Sequence, residues 1–181
     1  MKKYFVFLLS VAFFVSCKKK EQKNPEPIIK QQKKVEEKLF IITYKCKFSE
    51  NDNLQLFYTE DFKLHYSDKL SLRKNVKASE DFTKVEFKLP QGVIPDRLRF
   101  DLGGNRNQKR IEFEEISIKY KKDSIIINKE NLLQMLILND NLDYDEGTNI
   151  ITPKVINVDG KEIYDPYFYC SNELVKLLYN L

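Results

Sequence analysis

Leu39-Phe40-Ile41-Ile42-Thr43-Tyr44-Lys45-Cys46-Lys47-Phe48 is the stretch on which the fold turns. It opens as an apolar run and becomes strict alternation: Ile42, Tyr44, Cys46 and Phe48 against Thr43, Lys45 and Lys47. In an extended strand a period of two sends the first set to one face and the second to the other. A helix would scatter both sets around its circumference. The residues enriched here, β-branched and aromatic, are also those that suit a pleated, half-buried surface.

The same period recurs downstream. Asn51-Asp52-Asn53 supplies turn chemistry before Leu54–Tyr58. Phe62, Leu64 and Tyr66 alternate with Lys63, His65 and Ser67, and Leu70-Ser71-Leu72 opens another segment. Val85, Phe87 and Leu89 alternate with Lys84, Glu86 and Lys88 up to Pro90. Arg97-Leu98-Arg99-Phe100-Asp101-Leu102 alternates throughout and stops at Gly103-Gly104-Asn105. Ile111 and Phe113 share one face, whereas Ile116, Ile118 and Tyr120 fall on the other unless one residue is added at Glu114-Glu115. That offset is the mark of a β-bulge. Two helical pieces follow: Lys129–Leu136, with Asn128 as cap, and Glu173–Tyr179, with Ser171 or Asn172 as cap. Between them Asn141–Asn149 reads as a polar loop or hairpin. The expected fold is mainly β, an antiparallel β-sandwich with one short internal helix and a C-terminal helix.

Upstream of Leu39 the composition changes. Met1-Lys2-Lys3 is a short basic segment, and Tyr4–Val15 is unbroken apolar sequence. As a helix it would reach about 18 Å, short of the roughly 30 Å hydrocarbon core. It therefore predicts a secretory signal and no transmembrane anchor. Residues 18–38 hold eight Lys and four Glu, with Asn24-Pro25-Glu26-Pro27 near the start. Such a segment has too little apolar surface to order itself. As a coil it would reach about 25 Å. The division is 1–17 leader, 18–38 tether and 39–181 domain.

Charge follows the same division. The whole chain carries 31 Lys+Arg against 27 Asp+Glu, a net of +4. The leader accounts for two of the excess charges and the tether for four, so the domain is at −2. The lysines of the tether suit anionic head groups beside a bilayer. An exported chain meets no nucleic acid, which removes the other reading of a basic run.

The leader ends in Phe14-Val15-Ser16-Cys17, which resembles the lipobox of bacterial lipoproteins. The resemblance implies cleavage before Cys17 and acylation of its thiol, a membrane anchor through the N-terminal lipid. Lys18-Lys19-Lys20 is the opposite of an acidic surface-export mark, so the expected location is the cell envelope, at the outer membrane facing the periplasm. The pattern Phe87-Lys88-Leu89-Pro90, Leu98-Arg99-Phe100-Asp101-Leu102-Gly103 and Ile111-Glu112-Phe113-Glu114-Glu115-Ile116 is similar to β-sandwich domains in lipoproteins and polysaccharide-related envelope proteins of the Bacteroidota. It implies a jelly-roll or galactose-binding-like sandwich and, by analogy, glycan binding.

Few residues suggest chemistry. His65 is the only histidine, which leaves no His-rich metal site and places a Ser-His-Asp triad on one exposed residue. No phosphate-binding glycine loop occurs, and no cofactor is expected. Asn141, Asp143 and Asp145 alternate oxygen ligands as calcium loops do, although Gly147 and Thr152 do not fit an EF-hand. Glu112, Glu114, Glu115 and Asp101 would be the carboxylates of a glycoside hydrolase. Arg97, Arg99 and Asp101 share one strand face and suit sugar hydroxyls, a uronate, or simple cross-strand ion pairs. Tyr164, Tyr167 and Tyr169 are candidate stacking rings or an aromatic clamp under the last helix. Cys46 and Cys170 fit either a disulfide or two buried thiols. The reading that gathers most of this is a non-catalytic envelope protein binding a glycan or an envelope partner. The alternative is a structural lipoprotein of an envelope complex, with no sugar ligand.

Overall fold

The computed structural model describes residues 38–181. The leader, the lipobox with Cys17 and nearly all of the tether lie outside the described residues. Thirteen strands follow from Phe40 onward. β1 (Phe40–Phe48), β2 (Asp52–Thr59), β3 (Ser71–Val76), β4 (Thr83–Lys88), β5 (Arg97–Asp101) and β6 (Ile111–Tyr120) form the first half. β7 (Asp123–Asn128), helix α1 (Leu132–Met135), β8 (Leu136–Leu138), β9 (Leu142–Asp145) and β10 (Ile150–Pro153) come next. β11 (Ile156–Val158), β12 (Lys161–Ile163), β13 (Tyr167–Cys170) and helix α2 (Asn172–Leu178) complete the chain.

Two antiparallel sheets face each other as a sandwich. The first has the order β4-β1-β6-β10-β9, with β7 also paired to β6. The second has the order β3-β2-β5-β13-β8. β1 shows how alternation makes the core: Phe40, Ile42, Tyr44, Cys46 and Phe48 are all buried, and the residues between them are half-buried. The Tyr44 ring meets Phe87 of its own sheet edge-on at 5.3 Å and Phe100 of the opposite sheet at 5.8 Å. Aromatic pairs of this geometry add to the stabilisation from apolar burial alone.

The bulge is where the spacing places it. Lys45 stands opposite Glu115 and Cys46 opposite Phe113, leaving Glu114 as the additional residue on β6. Lys45 Nζ donates to the Glu114 carboxylate at 2.6 Å. The extra residue returns Ile116 and Ile118 to the core beside Ile111 and Phe113.

Connections define the two ends of the sandwich. β1 to β2, β3 to β4 and β5 to β6 cross between the sheets at one end, called distal here. At the other, proximal end the chain enters β1 at Phe40, and there lie the β4–β5 loop and the β6–β7 turn. Ile41 stands between Lys88 of β4 and Lys119 of β6.

Two local expectations are corrected, at residues 62–66 and at the internal helix. Residues 62–66 form no strand: Asp61 turns the chain by accepting from the Lys63 and Leu64 amides, and the segment folds over the outer face of β2 and β5. The internal helix is a single turn, Leu132–Met135, because Asn128 ends β7 and Leu136 leaves to pair with Cys170. Its start is held by Asn131, whose side chain accepts from the Asn128 amide and donates to the Ile126 carbonyl. Asn141–Asn149 is a hairpin, β9–β10, while the C-terminal helix is capped by Ser171 Oγ accepting from the Leu174 amide at 3.2 Å.

Candidate functional site

Alternation on β5 sends Leu98 and Phe100 inward and Arg97, Arg99 and Asp101 to the outer face of the second sheet. β13 pairs with β5 so that Tyr167 stands opposite Asp101 and Tyr169 opposite Arg99. Phe168 and Cys170 point inward, so the outer face gains both tyrosines. On its other side β5 pairs with β2, which brings Phe57 opposite Arg99 and Thr59 opposite Arg97.

Arg99 is the centre of the cluster. Its Nε and Nη2 donate to the two oxygens of Asp101 at 2.7 and 2.9 Å, and Nη2 also donates to Asp165 at 2.9–3.0 Å. The guanidinium lies 3.7 Å from the Tyr167 ring centroid on one side and 5.3 Å from that of Phe57 on the other. A forked, planar cation fits this setting and an ammonium does not. Burial pushes the Asp101 carboxyl up to about 6, with Arg99 pulling the other way.

Arg97 does a different job. Its Nη2 donates to the carbonyls of Phe62 and Leu64 at 2.9 and 2.8 Å, which pins the folded-over segment to the sheet. Its guanidinium lies between the Phe62 and Tyr66 rings, at 5.1 and 5.6 Å. Tyr66 packs on Phe57, and Phe62 stacks on Tyr179 just beyond α2. Cations and rings therefore alternate across the whole face, from Tyr167 to Tyr179.

The structure brings Arg97, Arg99, Asp101 and Tyr167 into one surface. It does not bring Tyr164, whose hydroxyl donates to the Asn105 carbonyl at 2.8 Å toward the distal end. Asp165 is the member that the sequence reading missed, although positions 165, 167 and 169 share a period of two. Phe57 was hidden because β2 is buried on both faces: the segment folded over it covers Gln55, Phe57 and Thr59.

The other candidates disperse. Asn141 is buried and donates to the Lys154 and Ile163 carbonyls. Asp143 pairs with Lys154, and Asp145 accepts from Gly147 and Thr148 within its own turn, so the three oxygens do not converge. Among the described residues no group of three or more His, Cys, Asp or Glu side chains is placed to hold a metal. Glu112 is paired with Lys47 and Arg110 on the outer face of the first sheet, across the sandwich from Asp101. Cys46 and Cys170 form no disulfide: they are free, buried thiols on opposite sheets. The Cys170 sulfur accepts from the Leu98 amide at 3.3 Å, and burial pushes both thiols up to about 12. His65 is exposed in the segment over β2.

No helix among the described residues is long and apolar enough to cross a membrane. Comparison of the chain with family models, with curated proteins and with solved structures finds no match.

Proposed function

We propose that this chain is a lipid-anchored, non-catalytic binding protein of the cell envelope, periplasm-facing, whose ligand is a neutral glycan held on the outer face of the second sheet. The observation that carries the reading is the clamping of Arg99. Two carboxylates and the Tyr167 ring hold its Nε and Nη2, so the guanidinium charge is fully engaged and the ring is fixed in place. What faces outward is then the Tyr167–Tyr169 pair, 6.2 Å apart, and the half-exposed carboxylate of Asp165. Rigid rings suit the C–H face of a sugar, and carboxylate lone pairs suit its hydroxyls. An anionic sugar would meet Asp165 and Asp101 with Arg99 already engaged.

The anchor rests on the lipobox at Phe14–Cys17. Replacing Cys17 with Ala should release the protein to the soluble fraction, and continued retention would overturn the anchor. A glycan array probed with the wild-type protein and with Tyr169→Ala tests the ligand. Neutral glycans bound by the first and lost by the second are expected. No glycan bound, together with co-purifying envelope proteins, would favour the structural lipoprotein instead. Protease shaving of intact cells should leave the domain whole if it faces the periplasm.

A further inference from the structure

The proximal end of the sandwich carries two surfaces side by side. On the first sheet Lys38, Lys88, Lys119, Lys121 and Lys122 are exposed around the point where the chain enters β1. Among the described residues, Asp123 and Glu86 are the carboxylates that oppose them there, the latter 3.5 Å from Lys88. On the second sheet four large apolar side chains stand in solvent: Phe62 at 45%, Leu64 at 49%, Ile94 at 53% and Tyr179 at 59%. They come from three separate segments, the fold-over segment, the β4–β5 loop and the end of α2, yet they gather at one end. Lys63, Glu60, Asp61 and Asp96 surround them.

In a domain at −2 overall, the first-sheet side of this end, beside the tether's Lys38, is therefore cationic, while Glu60, Asp61 and Asp96 lie on the second-sheet side around the apolar cluster. A cationic rim beside protruding apolar and aromatic side chains is the surface of a protein that rests on an anionic bilayer, rings at the head-group level and ammonium groups on the lipid phosphates. The position of residue 38 adds the second argument. With an anchor at Cys17, the intervening chain as a coil would keep this end at a mean distance of about 25 Å from the membrane. At that range a weak surface attraction acts as an intramolecular one.

We infer that the proximal end of the sandwich docks on an anionic membrane surface, with Phe62, Leu64, Ile94 and Tyr179 at the interface and Lys88, Lys119, Lys121 and Lys122 on lipid phosphates. The inference rests on the anchor proposed at Cys17 for its proximity, and it adds an orientation: the tyrosine face of the second sheet then stands to the side of the domain, open to the periplasm.

The chain contains no Trp, so a single Trp reports depth without background. The full-length acylated protein carrying Ile94→Trp is reconstituted on vesicles of brominated phosphatidylcholine with about 30% phosphatidylglycerol. The expected result is at least a twofold loss of fluorescence relative to unbrominated vesicles. Asn107→Trp, exposed in the distal β5–β6 loop, should show no loss. Adding Lys88→Glu, Lys119→Glu and Lys122→Glu to Ile94→Trp should restore the signal, with circular dichroism confirming the fold. Equal quenching at both positions, or none at Ile94→Trp, would overturn the docking. The anchor is scored separately, by retention on pure phosphatidylcholine vesicles in high salt, where electrostatic attraction is screened. Retention without quenching removes the docking alone, and quenching without retention removes the anchor alone.

Discussion

The guanidinium carbon of Arg99 lies 3.7 Å from the centroid of the Tyr167 ring, close enough for full face-on contact, while the same guanidinium forks onto Asp101. Cation–π attraction strengthens with desolvation, and both partners of the fork are largely shielded, with side-chain exposures of 21% and 14%. The Asp165 contact, half exposed, contributes less.

Arg99→Lys keeps the charge and loses both the fork and the flat stacking surface. We expect it to cost about 1–3 kcal/mol, read as a lower urea midpoint with unchanged slope. A loss of the same size in Arg99→Gln would mean geometry, not charge, dominates. No measurable change in either variant would contradict the central role given to this residue.

Asp101 gives a pH dependence whose sign can be worked out. Its carboxyl is pushed up to about 6 by burial, against about 3.9 in an unfolded chain. Between those values the native state holds a proton that the unfolded state has released, so stability falls as pH rises through the window and is level above it. The difference between about 3.9 and about 6 corresponds to about 3 kcal/mol at most. Other carboxylates act in the opposite sense, Asp68 and Asp145 both being held low by their hydrogen bonds. The measurement is therefore the difference between wild type and Asp101→Asn in urea stability from about pH 3 to about pH 8, a range that brackets both values. A difference that does not change with pH would refute the assignment.

Gly103 and Gly104 are adjacent, yet only the first should be sensitive to substitution. Gly103 has φ +107°, and a Cβ there would lie 2.1 Å from the Asp52 carboxyl carbon. That carboxylate is fixed, accepting from the amides of Asn53, Gly104 and Asn105. Gly103→Ala should cost about 2–4 kcal/mol in thermal or urea unfolding. Gly104→Ala meets nothing within 4 Å and should change stability by less than about 0.5 kcal/mol.

The two thiols should be silent in the folded protein. Buried and held near 12, Cys46 and Cys170 should resist alkylation at mildly alkaline pH and react fully once the chain is denatured. Mass spectrometry of the native protein should find both masses unmodified and no cross-link between them.

How much of this could be read from the chain alone depends on the range of the interaction. β1, β5 and the Glu114 bulge were legible because a period of two is a local property, visible within ten residues. The same signal misled at Phe62, Leu64 and Tyr66, where alternation is real but Arg97 claims the backbone carbonyls a neighbouring strand would need. Lys129–Leu136 has a helical stripe, yet Leu136 is drawn into edge pairing with Cys170, thirty-four residues away. In the site, Arg99 and Asp101 sit two apart on one strand and were found together. Tyr167 and Asp165 reach them only through the β5–β13 pairing, across more than sixty residues. No local pattern states that register.

One small element lies outside both sheets. β11 and β12 form a hairpin closed by Asp159 and Gly160, both with left-handed φ, and nearly every side chain on it is exposed. Its base is tied to the sandwich by the Asn141 amide and by an exposed Arg106–Glu162 pair, so nothing in the core senses what happens at its tip. The turn between Asp159 and Gly160 is thus the point at which foreign sequence can be spliced in. A reporter or affinity tag placed there would leave the start of β1, the tyrosine face and the lysine rim untouched, and would let the domain be followed in living cells.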